Sequence, residues 1–225
     1  MVTLHVLRVF TGAADGHGNP LGVFLDGGAV PAERRQGVAT DLGFSETVFV
    51  DDPGSGRLRI FTPAAELSFA GHPLVGTAWL LRSNGSGVDV LRPPAGVVPT
   101  WVDREMRTWI RGRAEWAPAM HLRRLPSAAE VDALADAPDG LEFVDAWAWV
   151  DEAAGLVRSR VFAGEYGIPE DEATGAAAVR LVTALGRQIE IRQGRGSVIH
   201  ARPGPGGTAE VGGTCVLDDR RDYPL

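Results

Sequence analysis

The stretch that decides the fold is residues 69–76, which reads FAGHPLVG. Glycine and a polar histidine, His72, stand directly ahead of Pro73, and an apolar, alanine-containing run follows. Proline suits the first turn of a helix, where its missing N–H group costs nothing. The pattern therefore predicts a buried helix over residues 74–82, with His72 at its entrance.

Two further segments place ionisable side chains beside apolar runs. Residues 170–175 read EDEATG and lead, through Asp171, into an apolar helix predicted over Gly175–Leu185. Residues 45–49 read SETVF, so that Glu46 leads directly into an apolar strand. A globular protein seldom keeps carboxylates and imidazoles at such junctions. These three positions are therefore the strongest indication of a functional site.

The chain also repeats itself weakly. The tripeptide RIF at residues 59–61 returns as RVF at residues 160–162, and IRG at residues 110–112 corresponds to VGG at residues 211–213, each pair 101 positions apart. Between these anchors, each half follows the order strand, glycine-bearing turn, apolar helix, short loop and strands. A fixed period with one order of elements indicates an internal duplication.

The duplication predicts an α+β fold of two similar domains related by a pseudo-twofold axis, over residues 1–116 and 117–225. Each domain is expected to be a curled, mostly antiparallel sheet wrapped round one central helix. Other helices are predicted over Ala32–Leu42 and after the capping box at residues 127–130, the latter ending before Pro138. Strands are predicted at residues 4–10, 21–25, 47–51, 58–62, 88–92, 97–102, 107–111, 142–150, 156–162, 188–192, 197–201, 209–211 and 215–217.

Composition excludes several classes of protein. The chain has 225 residues, 44% of them hydrophobic, and a formal net charge of −7, which argues against binding to nucleic acid. The single cysteine, Cys215, leaves no intramolecular disulfide to form. No apolar run approaches the length that spans a membrane, and the first ten residues alternate like a strand. We expect a cytoplasmic protein without nucleic-acid or membrane partners.

Glu46, His72 and Asp171 are the candidate catalytic residues. A carboxylate in apolar surroundings has its charged form disfavoured, which moves it toward acid/base work at neutral pH. Helix N-termini carry unpaired N–H groups that attract anions, and Gly71 and Gly175 would allow a ligand to approach the backbone there. Two helix entrances that face each other across a cleft could hold a substrate carboxylate.

Each of these residues also has an ordinary interpretation. Glu46 could be an exposed strand residue, and His72 could cap a helix. Asp171 lies in an acidic first turn, a common response to the helix dipole. The three together, in a duplicated layout, favour a site over three unrelated surface features.

At this point the motifs resemble those of the phenazine-biosynthesis (PhzF-like) isomerase family. The resemblance rests on GNP at residues 18–20, SETVF at 45–49, FTP at 61–63 with EL at 66–67, FAGHP at 69–73 and EDEATG at 170–175. It covers nearly the whole chain, in the family's order. It implies the diaminopimelate-epimerase-like fold, with the site in the cleft between two similar domains. It also implies cofactor-independent proton shuttling, often in a homodimer.

Carried over by motif, Glu46 would remove and return the proton, while His72 and Asp171 would position the substrate and assist. The resemblance implies substrate-binding positions at Ser45, Gly71, Thr174, Gly175, Ala176 and Asn19, with no metal and no cofactor. The chain departs from the family where serine usually follows Thr-Gly, because Ala176 stands there. We expect a cofactor-independent isomerase or epimerase of secondary metabolism that moves a proton on a small carboxylic acid.

Three other functions are compatible with parts of this pattern. A two-cysteine racemase needs a thiol on each face of the substrate carbon, and only Cys215 is present. A metal-dependent enzyme could use Glu46, His72 and Asp171 as ligands, although no two-histidine spacing supports it. A non-catalytic descendant could keep the cleft and only bind a small acid, which Ala176 would permit.

Overall fold

The computed structural model describes residues 1–12 and 17–225, which form a large, mostly antiparallel sheet with few helices. The strands in the described residues are β1 (Val2–Thr11), β2 (Asn19–Phe24), β3 (Glu46–Asp52), β4 (Arg57–Phe61), β5 (Glu66–Leu67), β6 (Val90–Leu91), β7 (Val98–Val102), β8 (Thr108–Arg113), β9 (His121–Arg124), β10 (Phe143–Asp151), β11 (Leu156–Ala163), β12 (Ile168–Asp171), β13 (Ile189–Gln193), β14 (Ser197–Pro203) and β15 (Thr208–Tyr223). The α-helices are α1 (Ala32–Leu42), α2 (Gly71–Ser83), α3 (Ala128–Asp132) and α4 (Gly175–Leu185). The α+β class predicted from the sequence is confirmed.

The strands follow the order β5-β4-β3-β2-β1-β15-β14-β13-β11-β10-β9, and the remaining strands pair off this path. Three of the pairs are parallel: β2 with β3, β11 with β13, and β9 with β10. Helix α2 packs on β1, β2, β3, β8 and β15, while α4 packs on β14 and β15. The two apolar helices thus share β15 and otherwise lie against different strands of the sheet.

Strand β15 joins the two parts of the sheet. Its residues 208–213 pair with β8, and residues 214–223 pair with β1, near the other end of the chain. The sequence pattern predicts two short strands here, because two successive glycines, Gly212 and Gly213, are typical of the end of a strand. In the structure a Cβ at Gly212 would collide with the indole of Trp109, and one at Gly213 would lie 2.6 Å from the ring of Phe10. The glycines therefore permit close packing in one strand of 16 residues.

The division into residues 1–116 and 117–225 stays a prediction. The strand pairing places the last ten residues of β15 beside β1, so the carboxyl-terminal segment contributes to the sheet that holds the amino-terminal strands. The order of elements within each half agrees with the predicted one, with α2 and α4 in equivalent places.

Helix α3 is shorter than its sequence pattern predicts. Ser127 caps it as expected, since its side chain accepts a hydrogen bond from the backbone N–H of Glu130. The helix nevertheless ends at Asp132 rather than just before Pro138. The guanidinium of Arg160 donates to the carbonyls of Val131 and Asp132 at 3.4 and 3.5 Å, which a longer helix would pair internally, and to the carbonyl of Leu134 at 2.6 Å.

The core lies between the two central helices and the sheet. Ten of the thirteen residues of α2 are buried, and the first five residues of α4 are buried as well. Helix α2 begins at Gly71, three residues earlier than the predicted start at Leu74, so that His72 and Pro73 belong to its first turn. In the described ranges, no helix is long and apolar enough to cross a membrane.

Candidate active site

The two central helices meet at their N-termini. A methyl group at Gly71 would lie 2.5 Å from the carbonyl carbon of Gly175 and 2.6 Å from its Cα. A methyl group at Gly175 would lie 2.7 Å from the backbone nitrogen of His72. Only glycine at both positions lets the backbones come this close. The contact brings the FAGHP and EDEATG motifs, about a hundred residues apart, into one place.

Short strands deliver the polar side chains to this point. Glu46 is the first residue of β3 and pairs with Leu21 of β2. Asn19 is the first residue of β2, and Asp171 is the last residue of β12, where it pairs with Val161. Strand β12 has no counterpart among the predicted elements, because four residues in an acidic segment carry no strand pattern.

Asn19 connects the two halves of the site. Its Nδ2 donates to Asp171 Oδ1 at 2.7 Å and to the carbonyl of Ala173 at 2.8 Å, and lies 3.4 Å from His72 Nδ1. Its Oδ1 accepts a hydrogen bond of 3.0 Å from Ser45 Oγ. The amide thus fixes the position of Asp171 relative to the strand that carries Glu46.

Glu46 and His72 form a buried pair. Their nearest atoms, Oε2 and Nδ1, are 3.3 Å apart, and both residues are almost inaccessible to water. Burial, reinforced by the charge of Asp171, raises the pKa of Glu46 well above its ordinary value. Burial lowers the pKa of His72 to about 3, so its ring is neutral at physiological pH. A neutral imidazole has one acceptor nitrogen and one N–H donor, which suits the exchange of a proton with a carboxyl group.

Asp171 is the second buried carboxyl group of the site. Burial raises its pKa to about 6, although hydrogen bonds from Thr174 and Asn19 oppose the shift. The hydroxyl of Thr174 donates to Asp171 Oδ2 at 2.6 Å. Two carboxyl groups in one water-poor site, with pKa values moved to different extents, are the arrangement by which proteins separate an acid from a base.

A narrow pocket of about 30 Å³ opens beside these carboxyl groups. Its polar lining comes from Glu46, Thr62, Asp171 and Thr174. The rest of the wall is largely apolar and includes Phe69, Phe143, Tyr166, Ile168 and Ala176. His72 lies behind Glu46 and does not border the pocket. A group that enters this pocket would therefore contact Glu46 and Asp171 directly, and His72 only through Glu46.

The structure brings the nine site residues selected from the sequence into one neighbourhood. Glu46, Asp171, Thr174 and Ala176 border the pocket, Gly71 and Gly175 form the contact between the helices, and Asn19, Ser45 and His72 support the carboxyl groups from behind. Their roles stay predictions. The sequence interpretation missed Gln193, which bonds to Thr174, and the apolar wall from residues 143–168.

The site offers little to a metal or a thiol mechanism. In residues 1–12 and 17–225, no three histidine, cysteine, aspartate or glutamate side chains form a group that could hold a metal ion. Cys215 is buried in β15, and burial raises the pKa of its thiol to about 12. The thiolate that a cysteine-dependent racemase needs is therefore not available at this residue.

Comparison with known proteins identifies the class first. A crystal structure of a phenazine biosynthesis protein of the PhzF family from Bacillus anthracis superposes with a TM-score of 0.79 at 18% identity, covering 100% of this chain and 99% of that one. A probable proline racemase from Agrobacterium radiobacter superposes with a TM-score of 0.65 at 10% identity, covering 100% of this chain and 93% of that one. The fold is the diaminopimelate-epimerase-like one.

Sequence similarity then identifies the family. The model of the phenazine biosynthesis-like protein family matches residues 7–110. The trans-2,3-dihydro-3-hydroxyanthranilate isomerase of Pseudomonas aeruginosa is 35% identical over an alignment that covers 79% of this chain and 80% of that protein. This chain belongs to the PhzF-like isomerase family, as its motifs predicted.

Proposed function

We propose that this protein is a cofactor-independent isomerase or epimerase that moves a proton on a small carboxylic acid, with Glu46 as the acid/base. The observation that carries the proposal is the placement of Glu46: it is buried, it borders a largely apolar pocket, and it lies 3.3 Å from a neutral histidine. The isomerases among the curated relatives make proton transfer the natural chemistry for such a group.

The reaction needs one base that can also return its proton. The ionised Glu46 takes a proton from a carbon of the substrate, and the electron pair left behind spreads into the adjacent unsaturated system. The protonated Glu46 then delivers that proton to another carbon on the same face of the substrate and regains its charge. A carboxylate in a water-poor pocket is a stronger base than one in water, because ionisation costs more there.

The helix N-termini supply the electrostatic part of the mechanism. Ala70, directly before α2, and Ala176, in the first turn of α4, both border the pocket. Unpaired N–H groups at these turns would attract the carboxylate of the substrate and stabilise negative charge as it develops. Among the described residues no arginine lines the pocket, which favours a small monoanion over a phosphorylated compound.

Alanine at position 176 indicates a substrate different from that of relatives with serine at this position. Without a hydroxyl group, this part of the wall offers no side-chain hydrogen bond to a polar substituent of the ligand. It also keeps open the second candidate, a protein that binds a small acid without changing it.

Incorporation of deuterium from heavy water tests the proposal. We expect the protein to transfer deuterium from solvent to carbon in at least one member of a panel of small unsaturated and amino acids, as detected by mass spectrometry. A thermal-shift screen of the same panel identifies the acids that bind. An acid that raises the melting temperature while no member of the panel gains deuterium would support the binding protein and overturn the isomerase.

A further inference from the structure

Gln193, at the end of β13, makes three hydrogen bonds to the loop that carries Asp171. It is 1% exposed. Its Nε2 donates to the carbonyl of Asp171 at 2.9 Å and to Thr174 Oγ1 at 2.9 Å. Its Oε1 accepts from the backbone N–H of Thr174 at 3.1 Å. The amide of Gln193 therefore clamps both ends of the Asp171–Thr174 turn.

The backbone partners fix which way this amide points. The carbonyl of Asp171 can only accept, so the nitrogen of the amide must face it, and the N–H of Thr174 can only donate, so the oxygen must face that group. The nitrogen of Gln193 then also faces the hydroxyl of Thr174 as a donor. Because that hydroxyl accepts from Gln193, its single hydrogen is directed to its other neighbour, Asp171 Oδ2, at 2.6 Å.

Both oxygens of Asp171 consequently accept hydrogen bonds. Oδ2 accepts from Thr174, and Oδ1 accepts from Asn19, whose own orientation is fixed by the carbonyl of Ala173. Hydrogen bonds donated to a carboxyl group favour its ionised form. Glu46 is less supported: its Oε2 is buried and lacks a hydrogen-bond partner in the described part of the chain, and only the side chain of Ser45 opposes the rise of its pKa through a hydrogen bond.

We propose that Gln193 is a positioning residue of this site: by orienting the Thr174 hydroxyl toward Asp171, it keeps Asp171 ionised and leaves the exchangeable proton on Glu46. The catalytic meaning of this proposal rests on the isomerase function proposed above, whereas its test needs no turnover. The resulting difference in hydrogen bonding between Asp171 and Glu46 decides which of these two neighbouring carboxyl groups carries the exchangeable proton.

Other charged groups act on Asp171 at the same time. Glu172, the next residue, and Glu46, on β3, both disfavour its charge, and His72, on α2, is neutral. The side-chain oxygen Oε1 of Glu172 accepts hydrogen bonds from the backbone N–H of Arg195 and from the hydroxyl of Ser197, at 2.9 Å each. None of these charged groups is altered by a substitution at Gln193 or Thr174, so a change in the titration of Asp171 does not come from its charged neighbours.

The test follows the titration of Asp171 by carbon NMR in protein with labelled aspartate carboxyl groups, without substrate. Gln193→Met keeps the length and neutrality of the side chain and removes the amide. We expect the pKa of Asp171 to rise by about one unit, since hydrogen bonds to a charged group contribute on that scale. Gln188→Met, a substitution at an exposed glutamine just ahead of β13, is the matched control and should leave the titration unchanged.

A double-variant cycle separates positioning from general loosening of the fold. Thr174→Val should raise the pKa of Asp171 as Gln193→Met does, and the two together should raise it no further than either alone. Thr174→Ser, which keeps the hydroxyl group, should restore the wild-type value. Should Gln193→Met fail to fold, Thr174→Val against Thr174→Ser still decides the hydroxyl contact.

An unchanged titration in folded Gln193→Met, or additive shifts in the double variant, would overturn the role of Gln193. Neither outcome depends on turnover. A missing deuterium exchange overturns the isomerase and leaves the titration result intact, so the two proposals fail separately.

Discussion

Glu46→Gln is expected to reduce the rate of deuterium exchange by at least about 10²-fold, because a positioned general base supplies 10²–10⁴-fold in rate. Glutamine has the same shape as glutamate and keeps an oxygen near His72, but it cannot take up a proton. Binding of the acid should survive, since the walls of the pocket and the helix N-termini are unchanged. The exchange rate and the melting-temperature shift with ligand measure the two effects separately.

The same variant should not be less stable than the wild type at neutral pH. The pKa of Glu46 is raised on folding, so the folded chain binds more protons than the unfolded one, and stability falls as the pH rises through the folded pKa. Glutamine removes this cost because it carries no charge. Glu33→Gln, at an exposed position in the first turn of α1, is the control and should keep full exchange. Equal exchange rates in wild type and Glu46→Gln would refute Glu46 as the base.

Gly71→Ala is expected to lower both stability and activity. The added methyl group would overlap the backbone of Gly175, which cannot rotate away as a flexible side chain could, so the two helices must separate. Overpacking of this kind typically costs about 1–3 kcal/mol. Displacement of reacting groups by about 1 Å can lower a rate about 10²-fold. Because Asn19 bridges the two halves of the site, separation of the helices also disturbs Asp171.

Gly37→Ala provides the matched control for the previous variant. Gly37 lies within α1, where a Cβ would have no atom within 4 Å. Alanine there should stabilise the protein by roughly 0.5–1 kcal/mol through its higher helix propensity, with no change in activity. Chemical denaturation gives the free energy of unfolding of both variants. If Gly71→Ala proved as stable and as active as Gly37→Ala, the contact between the helix N-termini would not be needed.

The parts of the site that the sequence predicts are those with a local signature. Histidine and glycine before Pro73, and the acidic run before Gly175, mark the entrances of apolar helices within six or eight residues. The repeat at one spacing then suggests that the two entrances are equivalent. That they touch follows only from the structure, because contact depends on the absence of side chains at Gly71 and Gly175 together.

The features that sequence patterns miss are set by distant partners. Helix α3 ends early where Arg160, on a strand, bonds to its last two carbonyls, and Gly212 lies in a strand on which Trp109 packs. Gln193 did leave a signal: in β13, Ile189, Ile191 and Gln193 point to the same face, and the first two are apolar. A polar residue at the third buried position of an alternating strand indicates a partner in the core.

The most direct test of the account compares two pH titrations. Infrared difference spectra between wild type and Glu46→Gln isolate the carbonyl band of the protonated Glu46 carboxyl group, and its loss with rising pH gives the pKa of that group. Deuterium exchange by the wild type gives a second midpoint, because the rate should rise as Glu46 ionises. We predict that the two midpoints coincide, well above the ordinary carboxyl value of about 4.5. A band lost near the ordinary value, or a rate that stays flat while the band disappears, would contradict Glu46 as the buried base that moves the proton.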